Sequence, residues 1–105
     1  MTNLLDHQLI DANLTLVLNE LEAQPEVAQF YPPTVLPYKA EMAQIREFID
    51  QAGEYGLAYE YINGVLKSFP FSLSGKAAVK LLEVALLMGF KSERECDKRF
   101  DRRVK

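Results

Sequence analysis

The 105-residue chain holds one histidine, His7, and one cysteine, Cys96. These two residues set the limits on its chemistry. A nucleophile needs a base beside it, and a metal centre needs clustered nitrogen, sulfur or carboxylate ligands. A histidine in the first turns of the chain and a cysteine 89 positions later form neither pattern. His7 therefore reads as a surface histidine. Cys96 has Arg94, Lys98 and Arg99 around it, which would lower the pKa of a thiol, but no histidine in its sequence context. It reads as a docking residue. A lone cysteine makes no internal disulfide and suits a reducing cytoplasm. Neither familiar Gly-rich phosphate loop occurs. Catalytic residues, metal and cofactor are all expected to be absent, and an enzyme is the least favoured reading.

Charge and aromatic rings remain. Residues 1–60 carry ten acids against Lys39 and Arg46, a balance of −8, whereas residues 91–105 carry seven bases against four acids, a balance of +3. The whole chain stands at −3. An acidic body with a basic tail governs partner choice and association rate more than fold. Glu41, Glu47, Asp50, Glu54 and Glu60 form an acidic cluster. The plain reading is a solvated helix surface. The functional reading is a patch that mimics phosphate and attracts a basic protein. Tyr55 and Tyr59, one turn apart, would add aromatic anchors if exposed beside Asp50 and Glu54. A core position for one of the two is an equal alternative. Glu47, Asp50, Glu54, Tyr55, Tyr59 and Glu60 are thus the candidate binding residues. The tail Lys98-Arg99-Phe100-Asp101-Arg102-Arg103-Val104-Lys105 could touch nucleic-acid phosphates. Cations set favourably at a helix C-terminus explain it equally without a ligand.

The elements that carry these groups read as helices. Leu14, Val17, Leu18 and Leu21 recur at helical spacing, with Leu5 and Leu9 one and two turns earlier, and the pattern predicts a first helix over residues 3–24, broken near Asn13. The alternative is a short strand at Leu14–Leu18. Residues 25–37 hold Pro25, Pro32, Pro33 and Pro37 and form the longest loop. Phe30, Tyr31, Val35 and Leu36 are expected to tack it to the core; a functional loop is the other reading. Pro37 opens a helix that runs to about Gln51, with Tyr38, Met42, Ile45, Phe48 and Ile49 as its apolar stripe and Gly53 as its stop.

A third helix covers residues 54–67, its stripe formed by Leu57, Ala58, Tyr61, Ile62, Val65 and Leu66. Gly56, Ala58 and Gly64 would allow a neighbour to approach closely. Ser68-Phe69-Pro70-Phe71 is a turn with two aromatic anchors. A fourth helix, residues 75–88, is capped by Ser72 or Ser74 and stopped by Gly89. It is apolar nearly all round, which predicts a central place. Ser92 and Glu95 match a capping box that opens a short charged helix to about Arg102, docked by Cys96 and Phe100. No run of 18 apolar residues exists to span a membrane, and the first residues lack the basic opening of a signal peptide. The expected fold is all-α, one domain over residues 1–105, a compact bundle of four to five helices.

The segment from Ile49 to Ile62, with Gly53-Glu54-Tyr55-Gly56-Leu57-Ala58 at its centre, is the most distinctive in the chain. It resembles the Gly-Glu-(Tyr/Trp)-Gly-Leu-Ala turn of small helical bacterial immunity proteins of the MafI type, which are paired with toxins of contact-dependent growth inhibition. In that family a helix ending in an acidic residue leads into the turn. A second helix, a short connection and a Leu-rich helix follow, and residues 38–88 keep to that plan. The resemblance implies a bacterial, cytoplasmic protein that neutralises a cognate toxin, often a basic nuclease, by protein–protein contact. The competing expectations are a nucleic-acid-binding regulator that uses the basic tail and a self-associating structural subunit.

Overall fold

A computed structural model describes residues 4–51 and 53–89. The chain is all-α: four α-helices and one 3-10 segment, with no strand among the described residues. Helix α1 (Leu4–Glu22) is followed by a 3-10 segment (Pro25–Phe30), then α2 (Tyr38–Asp50), α3 (Tyr55–Ser68) and α4 (Gly75–Met88). The predicted capping box at Ser92 and the helix behind it lie outside the described residues.

α1 is the hub. Ile10, Leu14, Val17, Leu18 and Leu21 fall at spacings of three and four and are all fully buried, so one wide stripe meets α4, α2 and α3 together. Each such side chain contributes about 1.5–3 kcal/mol by leaving water. The expected break at Asn13 is absent, and so is the alternative strand. Asn13 stays helical because its amide finds partners across the interface: Nδ2 donates to the Lys80 carbonyl at 3.2 Å and to Glu83 Oε1 at 2.7 Å. That bond set ties α1 to α4 at a buried point. The expectation of a central α4 is overturned by exposure. Val79 is 64% exposed and Leu86 39%, while only Ala77, Leu81, Val84 and Ala85 are sealed. Its apolar arc is wider than the one helix it chiefly packs against.

Helix ends match their residue types. Pro37 precedes α2, where its missing N–H costs no helical bond, and its carbonyl accepts the Glu41 N–H at 2.9 Å. Gly53 turns the chain after α2 at φ +61°, and the Glu54 N–H then donates to the Phe48 carbonyl at 2.8 Å. Of the two candidate caps, Ser74 serves α4: its Oγ accepts the Ala77 N–H at 3.0 Å. Gly89 closes the helix in the left-handed region at φ +76°. Ser74 also anchors α4 to α1, donating its N–H to Glu20 Oε1 at 2.9 Å and its hydroxyl to Glu20 Oε2 at 2.6 Å. These bonds hold the Glu20 carboxyl below the usual carboxylate range.

The proline-rich connection is pinned by fewer side chains than its composition suggests. Val27 is buried, and Tyr31 stacks on Phe69 at 3.8 Å between ring centroids, with 9° between planes. Tyr31 also meets Tyr38 edge-on, and Tyr38 lies over Phe71 at 6.0 Å. The Tyr38 hydroxyl donates to the Leu21 carbonyl at 2.7 Å, at the last turn of α1. This aromatic run joins the connection to the turn between α3 and α4. Phe30, Val35 and Leu36, expected to pack with Tyr31, are instead 55%, 44% and 45% exposed.

Candidate functional site

The six candidate residues come from a corner of two helices, and the fold sends them in three directions. Glu47 and Asp50 are exposed on the outer face of α2. With Ala40, Ala43, Gln44 and Leu36 they line a shallow open depression. Asp50 lies 3.9 Å from Arg46 Nη1 across one helical turn, a loose pair that leaves most of its charge outward. Arg46 itself is committed elsewhere. Its guanidinium grips Glu22 through two bonds, 2.7 and 3.1 Å, and reaches Asn19 Oδ1 at 2.8 Å. Glu54 is exposed at the start of α3, where its carbonyl accepts the Ala58 N–H and its side chain makes no cap. Glu60 is exposed on α3 and faces a second recess.

The two tyrosines leave this surface. Tyr59 is only 7% exposed and belongs to the core, so its expected role as a surface anchor is corrected. Tyr55 is half-buried: its hydroxyl donates to Asp11 Oδ2 at 3.1 Å, and its ring centroid lies 6.1 Å from that of His7. Burial first, and the bond to Asp11 second, push its hydroxyl pKa up. The reason is the number of neighbours. α3 packs against α1, α2 and α4, so the arc from Tyr55 through Ala58 and Tyr59 to Ile62 and Val65 turns inward. Leu57 and Tyr61, placed in the core stripe by periodicity alone, turn outward at 40% and 36% exposure.

The apolar anchors of this face are therefore residues that sequence reasoning assigned to packing. Val35 and Leu36 overhang from the loop, and Tyr61 rises from α3 against Phe48 of α2, 5.2 Å between ring centroids. The recess between α2 and α3 holds about 430 Å³ and is floored by the buried Val65. Its ionisable walls are Glu41 and Glu60. Glu41 is half-buried, and that burial raises its carboxyl pKa, with the nearby Tyr31 hydroxyl acting weakly the other way. The Tyr31 hydroxyl is sealed from water without a partner in hydrogen-bond geometry, and burial together with the Glu41 charge pushes its pKa well above the ordinary tyrosine range. The signal that could have found this recess was Tyr61, Gly64 and Ser68, spaced three and four apart on one helix side.

No protein-family model, no curated protein and no solved structure matches the chain. Among the described residues no three His, Cys, Asp or Glu side chains group closely enough to hold a metal ion. No described helix is long and apolar enough to cross a membrane. Cys96 and the basic residues 98–105 lie outside the described residues. What the face offers is exposed carboxylate beside exposed aliphatic and aromatic surface, an arrangement suited to recognition of a basic, partly apolar counterpart.

Proposed function

We propose that this chain is an immunity protein: it binds a cognate bacterial toxin, a basic nuclease by its chemistry, and neutralises it without catalysing a reaction. The observation that carries the reading is exposed carboxylate beside exposed apolar surface on α2 and α3: Leu36 lines one depression with Glu47 and Asp50 and a second with Glu60 and Tyr61. A nuclease must present positive charge to a polyanionic substrate. A negative helical face attracts that groove from a distance and raises the encounter rate, while buried apolar contacts slow the departure. Protection against a lethal enzyme in the cytoplasm requires slow dissociation, which tight pairs reach at roughly −12 to −18 kcal/mol. The Gly53–Ala58 turn that resembles MafI-type immunity proteins sits at the corner of this face.

The reading expects a toxin reading frame immediately upstream of this gene, and the test is co-expression with that toxin domain. The expected outcome is restored growth and a complex that survives gel filtration. Combined reversal of Glu47, Asp50 and Glu54 to Lys should slow association about tenfold or more at low salt and leave the helical spectrum unchanged. A chain that neither protects the cell nor forms a complex is no immunity protein. Protection that ignores the triple reversal would move the interface to another face.

A further inference from the structure

We propose that the recess between α2 and α3 is a socket for one aliphatic side chain flanked by basic residues on the partner protein. The inference rests on the recognition reading above and adds which cleft does the gripping. The recess holds about 430 Å³, within the roughly 300–1,000 Å³ span of small-ligand sites. Its floor is Val65 and its upper wall Val35 and Leu36, so a side chain entering it meets apolar surface. Those last two side chains remain 44% and 45% exposed in the free chain. Filling the recess would take that apolar surface out of water, which the chain itself does not do.

Charge complementarity selects the flanks. Among the described residues Glu41 and Glu60 line the recess and no Lys or Arg does, and Glu47 and Asp50 line the neighbouring depression on α2. Arg46, which lines that neighbouring depression, is held by Glu22 at 2.7 Å. A second copy of this chain is a poor occupant. A two-fold pairing through this face would set Glu41 and Glu60 against their own images, and like charges across an interface are unfavourable. Gly64 at the rim supplies a direct probe. A Cβ built there meets no atom within 4 Å, so the first atom of a substituted side chain has open space beside the recess.

The experiment titrates the isotopically labelled full chain with N-acetyl-Arg-Leu-Arg-amide and follows backbone amide signals. Shifts centred on Leu36, Tyr61 and Gly64 are expected, with weaker binding for the Arg-Ala-Arg and Glu-Leu-Glu tripeptides. Gly64→Trp should weaken binding roughly tenfold or more, and Glu60→Gln about threefold. The proposal is overturned by no shift at millimolar peptide, by shifts spread over every acidic residue, by equal binding of the three tripeptides, or by a Gly64→Trp chain that binds like the parent. Shifts at these amides on simple dilution of the free chain would assign the face to self-association and also overturn it. Toxin neutralisation is scored separately. Neutralisation with an idle socket sinks the socket alone, and a working socket without neutralisation sinks the immunity reading alone.

Discussion

Gly53 and Gly64 allow the same methyl group to be tested with opposite expected signs. At each, a Cβ built on the backbone meets no atom within 4 Å, so packing contributes nothing for or against it. Only backbone conformation distinguishes them. Gly64 lies inside α3 with helical dihedrals, where glycine is less favourable than alanine by about 0.8–1 kcal/mol. Gly64→Ala should therefore stabilise the chain by about that amount. Gly53 sits at φ +61°, where a Cβ crowds the following carbonyl at roughly 1–2 kcal/mol. Gly53→Ala should destabilise by a comparable amount. For a domain of this size each kcal/mol moves Tm by roughly 4–8 °C, so the single variants should separate by about 10 °C or more. The double variant should fall close to the parent, since the two effects have separate causes. Urea unfolding monitored at the helical CD band, with m-values compared, measures all four proteins. A destabilised Gly64→Ala chain would refute the open recess, because only an undetected close contact could reverse the helix preference. That result would also remove the probe on which the socket test relies.

Two further outcomes follow from bonds that cross between helices. Glu20 has its pKa lowered by the two Ser74 donors, so folding favours its charged form. That contribution is present above the ordinary value of 4.5 and is lost as pH falls through the lowered folded value. Glu20→Gln should accordingly be less stable than the parent at neutral pH, and the gap should close in acid; a gap that is constant with pH would mean that the carboxylate is not what holds Ser74. Glu41, whose pKa is raised by burial, has the opposite slope, being stabilising below the ordinary value and losing that contribution as pH rises, so the Glu20 effect is read as a difference between variant and parent. Asn13→Ala removes the bonds to the Lys80 carbonyl and Glu83 from a buried position and should cost about 1–3 kcal/mol in a urea midpoint experiment. A change within error would show that water replaces the amide there.

Much of the fold could be read before any coordinates. Local rules placed Pro37 ahead of α2, Gly53 after it and Gly89 at the end of α4, and narrowed the α4 cap to Ser72 or Ser74, because each depends on residues within one turn; the structure selects Ser74. The stripe of α2 and that of α1 from Leu14 to Leu21 were equally legible, but at the start of α1 Leu9, expected inside, is 37% exposed and Ile10 is buried in its place. The candidate carboxylates Glu47, Asp50, Glu54 and Glu60 are exposed as expected of charge on a helix surface.

Tertiary structure decided what lies opposite each face. Periodicity states that α3 has an apolar arc, but not how many helices will press on it, and three neighbours drew Tyr59 inward and left Tyr61 outside. The apolar circumference of α4 suggested a central helix, yet a side chain is buried only where another element arrives, and none of the described elements reaches Val79. Asn13 could be kept in a helix only by acceptors 67 and 70 residues away in sequence, a distance that no local window spans. The recess itself belongs to this second class. It is formed by a loop, two helices and the space beside a glycine, and space between elements is written in no single stretch of sequence.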